Sequence, residues 1–338
     1  MIKIAINGFG RIGRSAFKVA LDHHKSEAEV VGINDLTDAA TLAHLLKYDT
    51  AYGVYQRQVS SSGNTIIVDG EKYPVYAEKD PAALPWQELS VDVVIEATGR
   101  FTDKEGSLNH IKAGAKRVVI SAPAKGDGVG TFLMGVNEEQ DDGSQQIINN
   151  ASCTTNCIAP VAAIMHKKFG VQKALMTTIH SYTADQNLQD GPHKDLRRAR
   201  AAAENIVPTS TGAAIATTEA ISELKGLFDG VAIRVPTPVG SISDFTFLLK
   251  KKVSVEEVNK AFKEAAASPR YKGILAATEE EIVSSDVVGR TESSIVDLSL
   301  TQVVAGDLVK VFAWYDNEMG YSHRLIEQVI RAGKQIKR

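Results

Sequence analysis

An α/β fold in two parts is predicted by three features of the sequence: a doubly wound parallel sheet comes first, followed by an α+β unit whose sheet is mixed and largely antiparallel. The chain has 338 residues, more than one hydrophobic core normally serves. Up to about residue 150, short β-favouring runs take turns with helical patterns, the order that gives parallel strands joined by helices. Beyond Pro160 the strands lengthen and alternate apolar with polar residues, as strands with one covered face do.

Ile2 to Ile6 is almost uninterruptedly apolar, as a strand buried on both faces would be. Gly8-Phe9-Gly10-Arg11-Ile12-Gly13 follows at once, then a helical pattern from Arg14 to Asp22. The next strand, Val30 to Asp35, ends in an acid 22 residues past Gly13. Strand, glycine turn, helix, strand and acid together form the Rossmann-type arrangement. In it, Gly8, Gly10 and Gly13 let the backbone approach a pyrophosphate at the helix N-terminus, where free N–H groups bind anions. The plainer reading is a turn that only packs a helix on a strand. Asp35 is placed to accept from an adenosine ribose and to repel a 2′-phosphate, which favours NAD over NADP.

Further strands are predicted at Val91–Ala97 and Lys116–Ser121, with Thr98 and Ser121 at the ends that face the ligand crevice of such a sheet. Lys104 to Gly114 reads as a helix between them, and Tyr55 to Tyr76 as a hairpin-like insertion. In the second half, strands are predicted over Lys173–His180, Gly230–Val235, Ser243–Lys251 and Leu308–Tyr315, with helices over Gly212–Leu224, Ser254–Ala267 and Gly320–Ile330. Ser181 to Ile206 is a long polar segment.

Hydrophobic residues at 43% and charged residues at 23% are ordinary for a globular protein. A net charge of −3 gives no long-range attraction to nucleic acid or to an anionic membrane, which points to a small-molecule site. No cleavable leader pattern opens the chain and no apolar run approaches membrane-spanning length, so a cytoplasmic location is expected. The two cysteines, Cys153 and Cys157, cannot make a zinc site or a disulfide framework, and no metal is expected.

Ala151-Ser152-Cys153-Thr154-Thr155-Asn156-Cys157 sets a cysteine among hydroxyl and amide side chains just before an apolar helical run. At a helix N-terminus the dipole and the free N–H groups favour the thiolate, so a lowered thiol pKa is expected at Cys153. The alternative for either cysteine is a small buried hydrophobe, the expected role of Cys157.

Seven blocks, in order, resemble the phosphorylating glyceraldehyde-3-phosphate dehydrogenase family over nearly the whole chain: Asn7 to Arg14, Ala151 to Cys157, His180 to Thr183, His193 to Arg200, Pro208 to Ala214, Arg234 to Pro238 and Trp314 to Tyr321. The resemblance implies an NAD-binding Rossmann domain over 1–151, a catalytic domain over 152–318, and a C-terminal helix over 319–338 that packs back on the first domain. It also implies a homotetramer, with the 181–206 segment lining a neighbour's cofactor site, and D-glyceraldehyde 3-phosphate and inorganic phosphate as substrates. Neither a membrane nor nucleic acid as main partner is implied.

Cys153 is then the nucleophile and His180 the base that activates it and takes the hemithioacetal proton. Thr183, Asp185, Arg198 and Arg234 line the substrate-phosphate side; Ser152, Thr154, Thr211 and Gly212 surround the attacking phosphate. Arg11, Ile12, Lys79, Asn317 and Tyr321 join the glycines, Asp35, Thr98 and Ser121 around the cofactor. The chain departs from the family pattern at Ala184, at Gly191 and at Lys79, the first two bearing on nicotinamide contacts and NADP tolerance. Two alternatives remain: erythrose-4-phosphate dehydrogenase, against which Thr183 and Thr209 to Gly212 stand, and a non-catalytic NAD-binding regulator or RNA-binding module, which has no use for Cys153, His180 and both phosphate sets together.

Overall fold

The computed structural model describes residues 1–336; the last two residues of the C-terminal segment expected over 319–338 lie outside the described residues. The chain divides into two compact units. The first comprises Met1–Phe132, Glu138–Ala151 and the chain from Ser322 onward; the second comprises Leu133–Asn137 and Ser152–Tyr321.

The first unit begins β1 (Ile2–Asn7), α1 (Arg11–His23), β2 (Ala28–Asn34) and α2 (Ala39–Lys47). A short ladder of β3 (Tyr48–Asp49) and β4 (Gly53–Val54) leads to β5 (Val59–Ser62), β6 (Thr65–Val68) and β7 (Glu71–Tyr76). Then come β8 (Val93–Glu96), α3 (Lys104–Lys112), β9 (Arg117–Ile120), β10 (Gly130–Thr131) and β11 (Ile147–Asn149). They form one nine-stranded sheet in the order β10-β11-β9-β8-β1-β2-β7-β6-β5. From β10 to β7 every pairing is parallel. The insertion expected at Tyr55 to Tyr76 is a three-stranded antiparallel meander whose last strand runs parallel to β2 and so extends the main sheet.

Register positions the site. Asn7, the last residue of β1, pairs with Asn34 of β2 on one side and Glu96 of β8 on the other, so three polar side chains meet at the C-terminal ends of central strands. Beneath them the sheet is apolar, and α1 packs Phe17 edge-on against Phe9 and Tyr73, with ring centroids 5.5 and 4.9 Å away. Phe17 is fully buried, and truncating such a ring to alanine costs about 3–5 kcal/mol. Gly13 is required by the same packing: a Cβ there would lie 2.1 Å from the carbonyl oxygen of Gly8.

The second unit contains α4 (Cys153–Phe169), β12 (Val171–Ser181), β13 (Val207–Ser210), α5 (Ala213–Ala220), β14 (Phe228–Val235) and β15 (Ser241–Leu249). α6 (Val255–Ala266), β16 (Leu275–Thr278), β17 (Ser294–Val304) and β18 (Leu308–Tyr315) follow, and α7 (Met319–Lys334) starts in this unit but belongs to the first from Ser322 onward. The seven strands order as β13-β14-β12-β15-β18-β17-β16. Only β12–β14 and β16–β17 are parallel; the other four pairings are antiparallel. Each predicted strand and helix is present within a few residues of its expected ends, and α6 is closed by a capping box between Ser254 and Glu257.

Sequence reading did not foresee α2, β13, β16 or β17. In β17 Ser294, Asp297 and Thr301 are all buried, Ser294 on the face of Val296 and Asp297 on the opposite one, where it accepts the Trp314 indole N–H, so the alternation of apolar and polar residues that marks a strand is broken.

Candidate active site

Ser152 caps α4: its side-chain oxygen accepts the Thr155 N–H at 3.0 Å. Cys153 is therefore the first helical residue. His180 comes from the end of β12, and its Nε2 lies 3.3 Å from Sγ of Cys153. The other ring nitrogen, Nδ1, donates to the Ser181 carbonyl at 2.6 Å, because a carbonyl can only accept. That bond fixes the tautomer and leaves Nε2 with its lone pair toward the sulfur.

Tyr315, at the end of β18, underlies this pair. Its hydroxyl is 3.0 Å from that of Thr154, next to the cysteine, and 2.7 Å from that of Thr178, two residues before the histidine. The ring packs edge-on against His180 with centroids 6.0 Å apart. One buried hydroxyl thus ties the start of α4 to β12.

The thiol corrects one expectation. Burial pushes Cys153 above the usual thiol range and outweighs the opposing pull of the Arg234 guanidinium and of the N–H groups at the start of the helix. Burial likewise depresses His180 to about 3, with Arg234 adding repulsion. Neither group charges readily alone. Proton transfer from Sγ to Nε2 keeps the pair's net charge at zero, so burial opposes it less than it opposes either ionisation separately. Cys157 is the expected buried hydrophobe: its thiol faces Ser294 and the Ala313 carbonyl, and burial raises it to about 12.

Arg234, at the end of β14, donates through one terminal nitrogen to Thr183 Oγ1 at 2.7 Å and to the Ser181 carbonyl at 3.2 Å. Its buried Nε has no partner among the described residues. Thr183 also bonds to Asp185, whose other oxygen accepts from Arg198 at 2.6 Å. Arg198 is pinned further by Thr209 at 2.9 Å and the Ser210 carbonyl at 3.2 Å, and Thr209 in turn donates to Asp195 at 2.5 Å. Of the run Arg197 to Arg200, Arg198 is the arginine brought to this cluster; Arg200 pairs with Asp190 instead. Thr211 accepts the Ala213 N–H at the start of α5, and a Cβ on the capping Gly212 would meet only open space. The Asn317 amide oxygen accepts from the Gly240 N–H and the Ser241 hydroxyl, at 3.1 and 2.9 Å, which fixes the orientation of the amide. Tyr321 is buried in the same unit.

The first unit holds a cavity of about 320 Å³ at the C-terminal ends of β1, β2 and β8, lined by Asn7, Gly8, Gly10, Asp35, Lys79 and Thr98 among others. Gly8 has φ +93°, and a Cβ there would lie 2.7 Å from the Ala97 carbonyl carbon. Gly10 is different, since a Cβ on it would meet nothing within 4 Å: the space is on the open side, where a ligand's phosphate can approach. Asp35 is held by the Phe9 N–H at 2.8 Å and the Thr37 N–H at 2.9 Å. These features fit a dinucleotide. Arg11 and Ile12 contribute the first turn of α1, but the Arg11 side chain turns to Asp49 at 2.8 Å. Ser121 follows β9, its N–H on the Glu96 carbonyl, and does not belong to the cavity wall.

Sequence reasoning missed Tyr315, the pinning residue Asp195, and the cavity residues Asn34, Leu36, Glu78 and Phe101. Tyr315 lies inside the block from Trp314 to Tyr321, the one signal that marked its neighbourhood.

Residues 2–104 match the family model described as glyceraldehyde 3-phosphate dehydrogenase, NAD binding domain, and residues 152–317 match that of the C-terminal domain of the same enzyme. The chain is 56% identical over 328 residues to glyceraldehyde-3-phosphate dehydrogenase 1 of Bacillus cereus, covering 97% of both proteins. It is 54% identical over 327 residues to the glyceraldehyde-3-phosphate dehydrogenase of Geobacillus stearothermophilus, covering 96% of both, and 52% identical over 336 residues to that of Streptomyces coelicolor, covering 99% of both.

Proposed function

The chain belongs to the glyceraldehyde-3-phosphate dehydrogenase family, and from that premise we propose that Cys153 and His180 carry the NAD-dependent, phosphorylating oxidation of D-glyceraldehyde 3-phosphate. The 3.3 Å approach of Cys153 Sγ to His180 Nε2 at a capped helix N-terminus is the observation that carries this assignment.

Sγ gives its proton to Nε2 and bonds the aldehyde carbon; the proton passes on to the former carbonyl oxygen, leaving a hemithioacetal on Cys153. N–H groups at the start of α4 stabilise the oxygen's developing charge. When bound, NAD supplies the hydride acceptor. His180 takes the hydroxyl proton as the carbon is oxidised to a thioester, a role typically worth about 10²–10⁴-fold in rate. Inorganic phosphate then attacks the thioester carbon, the C–S bond breaks, and 1,3-bisphosphoglycerate leaves Cys153 as a thiolate. The partnerless Nε of Arg234 supports its assignment to the substrate phosphate, with Thr183, Asp185 and Arg198 holding it in place. Ser152, Thr211 and Gly212 are assigned to the attacking phosphate; the Thr154 hydroxyl, already bonded to Tyr315, serves that site from beneath.

Copies of the chain are proposed to assemble as a tetramer in the cytoplasm. Leu188, Leu196 and Ile206 are 82%, 80% and 70% exposed in the 181–206 segment, a concentration of apolar surface that a second copy would cover. No helix among the described residues is long and apolar enough to cross a membrane.

The reading is tested by following NADH formation from glyceraldehyde 3-phosphate with and without inorganic phosphate, and again with erythrose 4-phosphate and with NADP. Phosphate-dependent NADH formation is expected. Equal turnover without phosphate, or a preference for erythrose 4-phosphate, would overturn it.

A further inference from the structure

Behind the dinucleotide cavity of the first unit lies a carboxylate that the reaction does not use. Glu96, the last residue of β8, is buried and has no Lys or Arg partner within salt-bridge distance among the described residues; the His110 ring faces it. Each of its oxygens takes two donors. One accepts from the Thr98 N–H at 2.8 Å and from the Thr98 hydroxyl; the other accepts from Asn7 Nδ2 at 2.5 Å and faces His110 Nε2 at 3.1 Å. The His110 tautomer is fixed from the far side, because the Trp86 indole N–H can only donate and lies 3.0 Å from His110 Nδ1. Nδ1 therefore accepts, and Nε2 carries the hydrogen given to Glu96.

The chain of bonds does not stop at Asn7. Asn34 Nδ2 donates to Asn7 Oδ1 at 2.7 Å and to the Glu78 carbonyl at 3.0 Å, while Asn34 Oδ1 accepts the Glu78 N–H at 2.9 Å. Asn7, Asn34, Glu78 and Thr98 all line the cavity, and they come from four separate strand ends and loops. Trp86, His110 and Glu96 do not line it.

We propose that Glu96 is a positioning residue for the cofactor: set by Trp86 and His110, it ties the Asn7 turn to the Thr98 loop and thereby fixes the spacing of the cavity's walls. The inference rests on the NAD-dependent reading above and adds to it a residue that acts without touching the ligand. A carboxylate is required at this position. Asn7 Nδ2, His110 Nε2 and the Thr98 N–H face it as donors, and only the Thr98 hydroxyl can turn to accept; the NH₂ of an amide would therefore meet two donors on the Asn7 side or the Thr98 N–H on the other, and one link would break in either orientation.

Titration calorimetry with NAD on the full-length wild type, Glu96→Gln and Trp86→Phe tests this, together with KM for NAD and kcat, thermal melts, and the rate of Cys153 alkylation without NAD. Glu96→Gln is expected to raise the Kd for NAD about tenfold, as losing one or two bonds' worth of preorganisation implies, with KM for NAD following, kcat moving far less and alkylation unchanged. Trp86→Phe, which keeps an aromatic ring in the core but removes the donor to His110 together with part of a fully buried side chain, is expected to raise Kd by a smaller factor, about two- to fivefold, with the thermal melts recording the packing loss separately. A Glu96→Gln protein that melts lower but binds NAD like wild type would make Glu96 a core residue and overturn the proposal. If Glu96→Gln does not fold, Trp86→Phe decides: an unchanged Kd overturns the proposal and a raised one supports it. A wild type that binds no NAD overturns the reading on which the proposal rests.

Discussion

Cys153 Sγ and His180 Nε2 face each other at 3.3 Å, while the other nitrogen of the ring is committed to the Ser181 carbonyl. The imidazole can therefore accept a proton only on the side of the sulfur. With burial holding the thiol up and the imidazole down, transfer between the two is the internal route to a thiolate.

Removing the acceptor closes that route. His180→Asn is expected to move the midpoint of Cys153 alkylation by iodoacetamide to higher pH, because burial still opposes the thiolate and no base takes its proton. Arg234→Ala is expected to shift it in the same direction by removing a cation that favours the thiolate. Rate–pH profiles of the three proteins check this; midpoints that coincide would leave the helix terminus alone in control.

The depressed imidazole also makes a statement about stability. Unfolded, His180 takes up a proton below its ordinary value of 6.5; folded, it does so only near 3. As pH falls through that window the unfolded chain binds more protons, so stability is lost with decreasing pH. His180→Asn is expected to lose less stability than wild type between pH 7.5 and pH 4.5. Urea midpoints at the two pH values measure the difference, and equal losses would mean that His180 does not contribute.

Asp35 holds the N–H groups of Phe9 and Thr37 as well as facing the cavity, so Asp35→Gly removes both a ribose acceptor and a brace of the glycine turn. Losing a charge-assisted bond of about 1.5–3 kcal/mol corresponds to NAD binding weaker by roughly 10- to 150-fold. Loss of the repulsive carboxylate raises the NADP/NAD ratio of kcat/KM. A ratio that does not move would place Asp35 away from the ribose.

The two proposed anion sites differ in their donors. Arg234→Ala is expected chiefly to raise KM for glyceraldehyde 3-phosphate, and Thr211→Ala chiefly to raise KM for inorganic phosphate, with the guanidinium loss the larger. Unphosphorylated glyceraldehyde supplies the control, since it lacks the ester phosphate and should be spared by Arg234→Ala at the binding step. Arg198→Ala is the less clean variant: it removes the cation paired with Asp185 and the donors to Thr209 and the Ser210 carbonyl, and is expected to lower the melting temperature as well. If Arg234→Ala slowed both aldehydes equally, its assignment to the substrate phosphate would fall.

What the sequence made legible was local. The run from Ile2 to Asp35 encodes strand, turn, helix and strand through periodicity and glycines a few residues apart, and the structure reproduces it with Gly8 at φ +93°. Cys153 was readable for the same reason, its cap being the preceding residue. The role of Tyr315 was not, because its hydroxyl meets Thr154 across 161 positions of chain and no pattern in either segment announces the meeting. The direction of the thiol's shift differs from expectation because a helix terminus is visible in sequence while the walls packed around a half-buried Sγ are not.

The first unit is assembled from both ends of the chain. Its sheet is encoded by the first 151 residues, yet buried Arg117 of β9, paired locally with Asp141 and the Gln145 carbonyl, directs its remaining terminal nitrogen to the Ala332 carbonyl and the Gln335 side chain, and Gly333 packs against Ile2. Everything between Ser152 and Tyr321 must be synthesised before those partners exist. On the ribosome, the N-terminal unit therefore waits with one nitrogen of that guanidinium short of its acceptors and the Ile2 side chain uncovered until translation is nearly finished, so a nascent chain arrested before residue 322 presents an incomplete unit for chaperones to shield.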